Sequence, residues 1–230
     1  MLQRVTRMKD SSKTIISWDQ VDTVLVDMDG TLLDLAFDNF FWREIVPKEY
    51  AKQNGLSENI AREELMSRYK ALQGRLEWYC IDYWTDDLNL DIRGLKHKYQ
   101  NRIQFLPGAI EFLDYLRNSK KRVILVTNAH PDTFAIKAQK TGVDKHVDAV
   151  FSSHEFEFPK EHKEFWPRFY ASQKFTPLRT VLIDDSAPVL EAARDFGIGK
   201  TIAISCPDSR FASQEVAGFV SVEGVEKLIF

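Results

Sequence analysis

The sequence predicts an α/β protein, a doubly wound and mainly parallel sheet with an all-helical insertion. Three observations predict it. Short apolar runs ending in polar residues recur along the chain, and amphipathic stretches at helical spacing alternate with them. One interval of roughly 70 residues, after the first apolar run, carries no strand pattern at all and is too long to be a connecting loop.

Met1 to Gln20 is polar and charge-mixed, without an apolar segment of signal-peptide length or a small-residue cleavage site. It reads as an N-terminal extension (residues 1–20), with Met8 an alternative start to Met1. Val24 to Val26 is the first buried strand. From Ala36 to about Phe105 the periodicity is helical. Ile60 to Leu72 and Leu76 to Leu88 space apolar and aromatic side chains at three and four, and Leu95 to Ile103 is a weaker third. Leu106-Pro107-Gly108 punctuates the return to the main domain. Beyond it, strands are expected at Val123 to Val126, Val147 to Phe151, Val181 to Ile183 and Thr201 to Ile204. Helices are expected at Ile110 to Arg117, Thr133 to Lys140, Glu161 to Ser172 and Pro188 to Phe196. The implied division is a core of residues 21–35 and 106–230 around a helical insertion of residues 36–105.

With 230 residues, 44% hydrophobic and 28% charged, the chain is long enough for one full core and a smaller second module. A net charge of −3 leaves no basic field to hold a nucleic-acid polymer or an anionic membrane. No apolar run reaches membrane length. Cys80 and Cys206 lie far apart without metal-type spacing, so buried free thiols in a reducing, cytoplasmic setting are expected.

The run Val24-Leu25-Val26-Asp27-Met28-Asp29-Gly30-Thr31-Leu32 delivers two carboxylates, at i and i+2, onto a glycine-containing turn. Residues i and i+2 of a strand point the same way, and Gly30 permits a bend that brings main-chain N–H groups toward a ligand. In doubly wound sheets ligands bind beyond the carboxyl ends of the strands, where Thr127 and the Asp184-Asp185 pair also terminate apolar runs. Taken singly, Asp-x-Asp is an acidic turn, Thr127-Asn128 a helix N-cap, and Lys160 after Phe158-Pro159 a solvated lysine. Their joint placement along one sheet edge favours chemistry.

In order and spacing, Asp27-x-Asp29-Gly30-Thr31, Thr127-Asn128, Lys160 and Ile183-Asp184-Asp185 resemble the haloacid dehalogenase (HAD) superfamily of phosphohydrolases. The resemblance covers Val21 to about Phe196, and the insertion resembles that superfamily's mobile cap of the C1 type. It implies a Rossmann-like core and Mg²⁺-dependent hydrolysis of a small-molecule phosphate monoester by a monomer or homodimer. Asp27 is then the nucleophile, forming an aspartyl-phosphate that divides one hard displacement into two easier ones. Asp27, the Asp29 backbone carbonyl and Asp185 hold Mg²⁺, and Asp184 orients a bound water. Asp29 is the general acid and later the base, its proton retained through repulsion from Asp27, Asp184 and Asp185. Gly30, Thr127, Asn128 and Lys160 meet the phosphoryl oxygens. One departure stands out: Val189 occupies a position where many members carry a further aspartate. A carboxyl at Asp29 fits a phosphatase or phosphomutase, since dehalogenases of this superfamily lack an acid there.

Finer segments resemble bacterial GMP/IMP nucleotidases: Asp22 to Trp42, Trp78 to Trp84, Thr127 to Pro131, Pro159 to Glu161 and Pro207 to Ser209. This implies a 5′-nucleotidase acting on purine nucleoside monophosphates. A purine needs a flat apolar face and a polar partner at its edge. Phe40, Phe41, Trp42, Trp78, Tyr79, Tyr83 and Trp84 supply rings, of which one or two are expected to face the ligand while the others pack. Trp42 and Tyr79 are the stacking candidates, Asn39 and Arg75 the polar ones, and His130 a candidate for phosphate or ribose. A sugar-phosphate phosphatase or a β-phosphoglucomutase-like phosphomutase shares every catalytic residue and is the alternative. A binding protein that kept the fold and lost turnover is the alternative from another class.

Overall fold

A computed structural model describes residues 15–229, so Met8 and most of the N-terminal extension lie outside the described residues. Six parallel strands, β1 (Thr23–Val26), β2 (Arg122–Thr127), β3 (Ala149–Ser152), β4 (Thr180–Asp184), β5 (Lys200–Ile204) and β6 (Val220–Val222), form one sheet in the order β3-β2-β1-β4-β5-β6. β1 lies between β2 and β4, with Val24 opposite Val123 on one side and Val181 on the other. Both its faces are covered, which is why it reads as an unbroken apolar run. The strand order reverses at β1, so a crevice opens beyond its carboxyl end.

Between β1 and β2 the chain is helical: α1 (Ala36–Phe40), α2 (Val46–Asn54), α3 (Glu58–Leu72), α4 (Leu76–Tyr79), α5 (Ile81–Leu88) and α6 (Ile92–Tyr99). The sheet is flanked by α7 (Ala109–Asn118), α8 (Pro131–Thr141), α9 (Phe165–Gln173) and α10 (Ala187–Phe196). Strand alternation divides the core. Val24 and Val26 pack with Phe112, Leu113 and Ile136 from α7 and α8, whereas Leu25 packs with Phe165, Phe169 and Leu190 from α9 and α10. The first cluster continues without a break into the helical layer through Phe37, Phe41, Leu65 and Trp84. Where the chain enters and leaves that layer the two segments run together: Leu106 N donates to Leu32 O at 2.8 Å and Asp34 N to Gln104 O at 2.9 Å.

Strands and helices stand near where the periodicity placed them, with four exceptions, the first being the helix expected from Glu161, which begins only at Phe165. Strand β6 was not expected, because three residues at a half-exposed sheet edge carry no apolar run. The single helix expected from Leu76 to Leu88 breaks at Cys80, whose backbone is extended (φ −88°, ψ 110°) and whose Sγ accepts the Tyr83 N–H at 3.5 Å. Neither proline nor glycine marks that break. Both cysteines are unpaired but only half-buried, where fully buried thiols were expected.

The fourth exception is a long helix from Ala36 to Asn54 that widens into a π turn at Phe41–Ile45. Pro47 lies just beyond it and has no N–H to return to Arg43. The orphaned Arg43 carbonyl instead accepts from Arg62 Nη1 on α3 at 2.8 Å. No helix among the described residues is long and apolar enough to cross a membrane.

Phe169 is fully buried and packs edge-on or stacked against Phe151, Phe156, Phe165 and Trp166. Phe169→Ala is expected to cost about 3–5 kcal/mol of unfolding free energy, read as a lower urea midpoint with an unchanged slope.

Candidate active site

The crevice beyond β1 is a cavity of about 490 Å³, within the range of small-ligand pockets. Its floor is Asp27, Asp29, Thr127, Asn128, Lys160, Asp184 and Asp185, each set at or just past a strand end or in the turn before α9. Its roof comes from the helical insertion: Asn39, Trp42, Tyr69, Gln73, Trp78, Tyr79, Trp84 and Lys96.

Lys160 organises the floor. Its side chain is 2% exposed, and Nζ donates to Asp27 Oδ1, to Asp184 Oδ2 at 2.7 Å and to Val126 O at 2.9 Å. All three of its protons are satisfied, so the ammonium is held as a cation; burial opposes the charge, but Asp184 and Asp27 raise its pKa above the ordinary lysine value. Asn128 fixes the backbone there, accepting the Lys160 N–H at 2.8 Å through Oδ1 and donating to Glu161 Oε2 at 2.9 Å. Tyr79 Oη reaches down from the roof to donate to Glu161 Oε1 at 2.9 Å. Thr127 Oγ1 accepts the Ala129 N–H at 3.0 Å, but the N-cap of α8 is His130 rather than Thr127 or Asn128.

Asp27, Asp184 and Asp185 bring carboxylate oxygens within 4.8 Å of one another. Burial pushes Asp27 up to about 7, with Lys160 pulling the other way and Asp184 and Asp29 adding repulsion. Burial and then repulsion from Asp184 and Asp27 drive Asp185 well above the ordinary carboxylate range. Three crowded, oxygen-only donors whose negative charge is disfavoured suit a hard divalent cation. Asp184 is occupied by Lys160 and by the Ser186 N–H at 2.9 Å, which leaves Asp185 the freer donor. Val189 packs as a buried apolar residue and offers no further ligand.

The origin of the Asp29 shift differs from expectation. Burial raises it first and the neighbouring Asp38 adds to it, while Lys137 opposes; the Asp184-Asp185 pair is not the main neighbour. Lys137 Nζ bridges Asp29 Oδ1 at 2.6 Å and Asp38 Oδ2 at 2.5 Å, and Lys96 Nζ lies 3.3 Å from Asp38 Oδ1 and 4.4 Å above the Phe41 ring. Burial works against Asp38 as an anion, yet Lys137 and Lys96 hold it below the usual range. This chain of four charged groups escaped the sequence reading, as did Glu161. A signal existed for two of them: Lys137 follows Thr133 and Ile136, and Lys96 follows Ile92, on inward-facing helical positions where a lysine is out of place.

Three expectations need correcting. Gly30 does not offer its N–H to a ligand, because that group donates to Leu33 O at 2.7 Å. Its role is space: at φ +83° any Cβ would come 2.6 Å from Asp185 Oδ2. Arg75 is exposed and pairs with Glu77 at 2.7 Å rather than lining the cavity. His130 also lies outside the lining and turns to His154, with ring centroids 5.0 Å apart, and to Asp82, whose Oδ2 is 3.6 Å from Nε2. Asn39 and Trp42 do line the cavity, with Asn39 donating to Asp208 Oδ2 at 2.8 Å. The rings at the cavity outnumber the one or two expected, since Trp42, Trp78, Tyr79 and Trp84 all reach it.

Lys137→Met strands two half-buried carboxylates, so it should lower stability by about 2–4 kcal/mol. The double variant with Asp38→Asn should regain part of that loss in urea unfolding. A pH dependence follows from His154, which burial and the adjacent His130 push down to about 4. Its native pKa lies below the unfolded value of about 6.5, so the native state binds fewer protons. That contribution is complete above about pH 6.5 and is lost as pH falls through about 4. In metal-free buffer His154→Phe should flatten the fall in unfolding midpoint across this window.

Comparison with known proteins agrees with this geometry. The family model described as haloacid dehalogenase-like hydrolase matches residues 21–197. The chain is 41% identical over 214 residues to the GMP/IMP nucleotidase YrfG of Escherichia coli (strain K12), covering 93% of this chain and 96% of that protein, with the same figures for YrfG of Shigella flexneri. Among solved structures, a HAD phosphatase from Thermococcus onnurineus superposes with a TM-score of 0.77 at 20% identity, over 90% of this chain and 96% of that one. The L-2-haloacid dehalogenase of Xanthobacter autotrophicus gives 0.61 at 15%, again over 90% and 96%, and shares the fold alone. With its motifs gathered at the end of β1 and a matching model across most of its length, the chain belongs to the haloacid dehalogenase-like hydrolases.

Proposed function

We propose that the protein is a Mg²⁺-dependent 5′-nucleotidase that converts purine nucleoside 5′-monophosphates such as GMP and IMP to nucleoside and phosphate. The observation that carries the reading is the cavity itself: an acidic floor holding the Lys160 ammonium lies beneath a roof of indole and phenol rings. The similarity to YrfG, whose name gives GMP and IMP as substrates, supports the choice of base.

In this reading residues 36–105 cap a core of residues 21–35 and 106–230. Asp27 Oδ attacks phosphorus and the bond to the ester oxygen breaks, while Asp29 gives its proton to that leaving oxygen. A water then loses a proton to Asp29 as it attacks the aspartyl-phosphate, releasing phosphate and restoring Asp27. Lys160 stays against Asp27 throughout and offsets charge spread over the equatorial oxygens, to which the Thr127 hydroxyl and the backbone N–H groups near Asn128 donate. Asp27, the Asp29 carbonyl and Asp185 would hold Mg²⁺, with Asp184 outside them. When bound, the ion draws charge from the phosphoryl oxygens and relieves repulsion among the acids. Trp42 and Tyr79 flank the base, and Asn39 lies within the same cavity. Two unpaired thiols support a reducing, cytoplasmic setting.

Phosphate release should be fastest with GMP and IMP, slower with AMP and sugar phosphates, and abolished by chelation of Mg²⁺. Asp27→Asn should lower kcat at least roughly a thousandfold with the fold intact by circular dichroism. Equal rates across the panel would overturn the purine assignment, and unimpaired turnover by Asp27→Asn the mechanism.

A further inference from the structure

Outside the acidic floor a second group of ligating atoms comes together. Cys80 Sγ, one ring nitrogen of His130 and one of His154 all lie within 4.8 Å of one another. The three come from separate elements: Cys80 from the break between α4 and α5, His130 from the turn that opens α8, and His154 from the turn after β3. No sequence spacing announces them, which is why the two cysteines read as unremarkable thiols.

The arrangement has the donor chemistry of a cation site. His154 Nε2 is buried and has no hydrogen-bond partner, although the ring is hydrogen-bonded to the Asn128 backbone. That pattern leaves a lone pair facing the cluster and fixes the ring from behind, as the outer partners of metal-bound histidines do. His130 is held weakly: Nδ1 accepts the Asp132 N–H at 3.3 Å, and Nε2 faces Asp82 Oδ2 at 3.6 Å. Freeing either nitrogen costs one weak contact. Asp82 is exposed, lies in the first turn of α5 and stands beside the cluster, close enough to His130 to orient its ring or complete a fourth position.

One sulfur and two imidazole nitrogens favour a soft or borderline ion over Mg²⁺, whereas the acidic floor has the opposite preference. We propose that Cys80, His130 and His154 form a second cation site, for Zn²⁺, that clamps the helical layer to the core. The clamp would act on the seam beside Tyr79, the residue preceding Cys80, which already bonds across to Glu161, and near Arg93 of α6, which pairs with Asp132 of α8. Zn²⁺ bound there resists separation of the two layers and so slows any turnover that needs the cap to open. Binding of the ion is independent of the phosphatase reading; its effect on turnover rests on that reading.

Zn²⁺ is titrated calorimetrically into the full chain with Mg²⁺ in excess. Wild type and Asp27→Asn should each bind one tight equivalent. Cys80→Ser and His154→Gln, with circular dichroism like wild type, should bind on the order of 100-fold more weakly. Co²⁺ should give a thiolate-to-metal charge-transfer band in wild type that Cys80→Ser lacks. Unchanged Zn²⁺ affinity and an unchanged cobalt band in Cys80→Ser, or loss of the tight equivalent in Asp27→Asn, overturn the site. In the Mg²⁺ assay with GMP, Zn²⁺ should lower kcat for wild type and not for Cys80→Ser; tight binding without that fall overturns the clamp. Absence of hydrolysis with Mg²⁺ alone defeats the phosphatase reading and leaves the binding isotherms standing.

Discussion

A single ammonium group, Lys160 Nζ, buried between Asp27 and Asp184 and tied to the end of β2, is the contact on which the rest of the site depends. Two aspartates at the ends of adjacent strands could not remain charged at this burial without it. Its position is secured in turn by the Asn128 side chain, which grips the Lys160 backbone, and by Glu161, which grips Asn128. The lysine therefore fixes the spacing of β1, β2 and β4 at their carboxyl ends as well as neutralising charge. A lysine is suited to this because its three donors can serve three acceptors from one compact centre.

With every carboxyl ionised, Asp27, Asp29, Asp38, Asp184 and Asp185 would outnumber Lys96, Lys137 and Lys160 by two charges. That excess matches a dication, and it is concentrated at Asp27 and Asp185, the carboxylates that burial and repulsion raise most clearly. The Asp29 end is different. There Lys137 and Asp38 join the floor to the first helix of the insertion, so a residue proposed to handle the proton is electrostatically linked to the layer proposed to admit substrate.

Much of this was legible in the amino-acid order, and the limits are instructive. Asp27 and Asp29 are readable because strand geometry and a following glycine are local, and the helical insertion because its periodicity is. Lys137, Asp38 and Lys96 were missed because each meets its partner only through tertiary packing. Gly30 was noticed for the right flexibility but the wrong reason, since its need for space depends on Asp185, far along the chain. The break at Cys80 is likewise invisible locally: its neighbours favour helix, and only the capping sulfur and its surroundings stop it.

The place of β1 in the sheet has a consequence for how the chain is made. Its two neighbours, β2 and β4, are encoded far downstream, so Thr23–Val26 leaves the ribosome as an apolar segment with nothing to pair with until Arg122–Thr127 appears. The helices from Ala36 to Tyr99 emerge in the meantime and can pair among themselves, α2 with α3 and α5 with α6, through contacts close in sequence that form quickly. Biosynthesis would thus order the helical layer before the sheet it covers, leaving Asp27 in a partly ordered nascent chain until the last parallel pairings close.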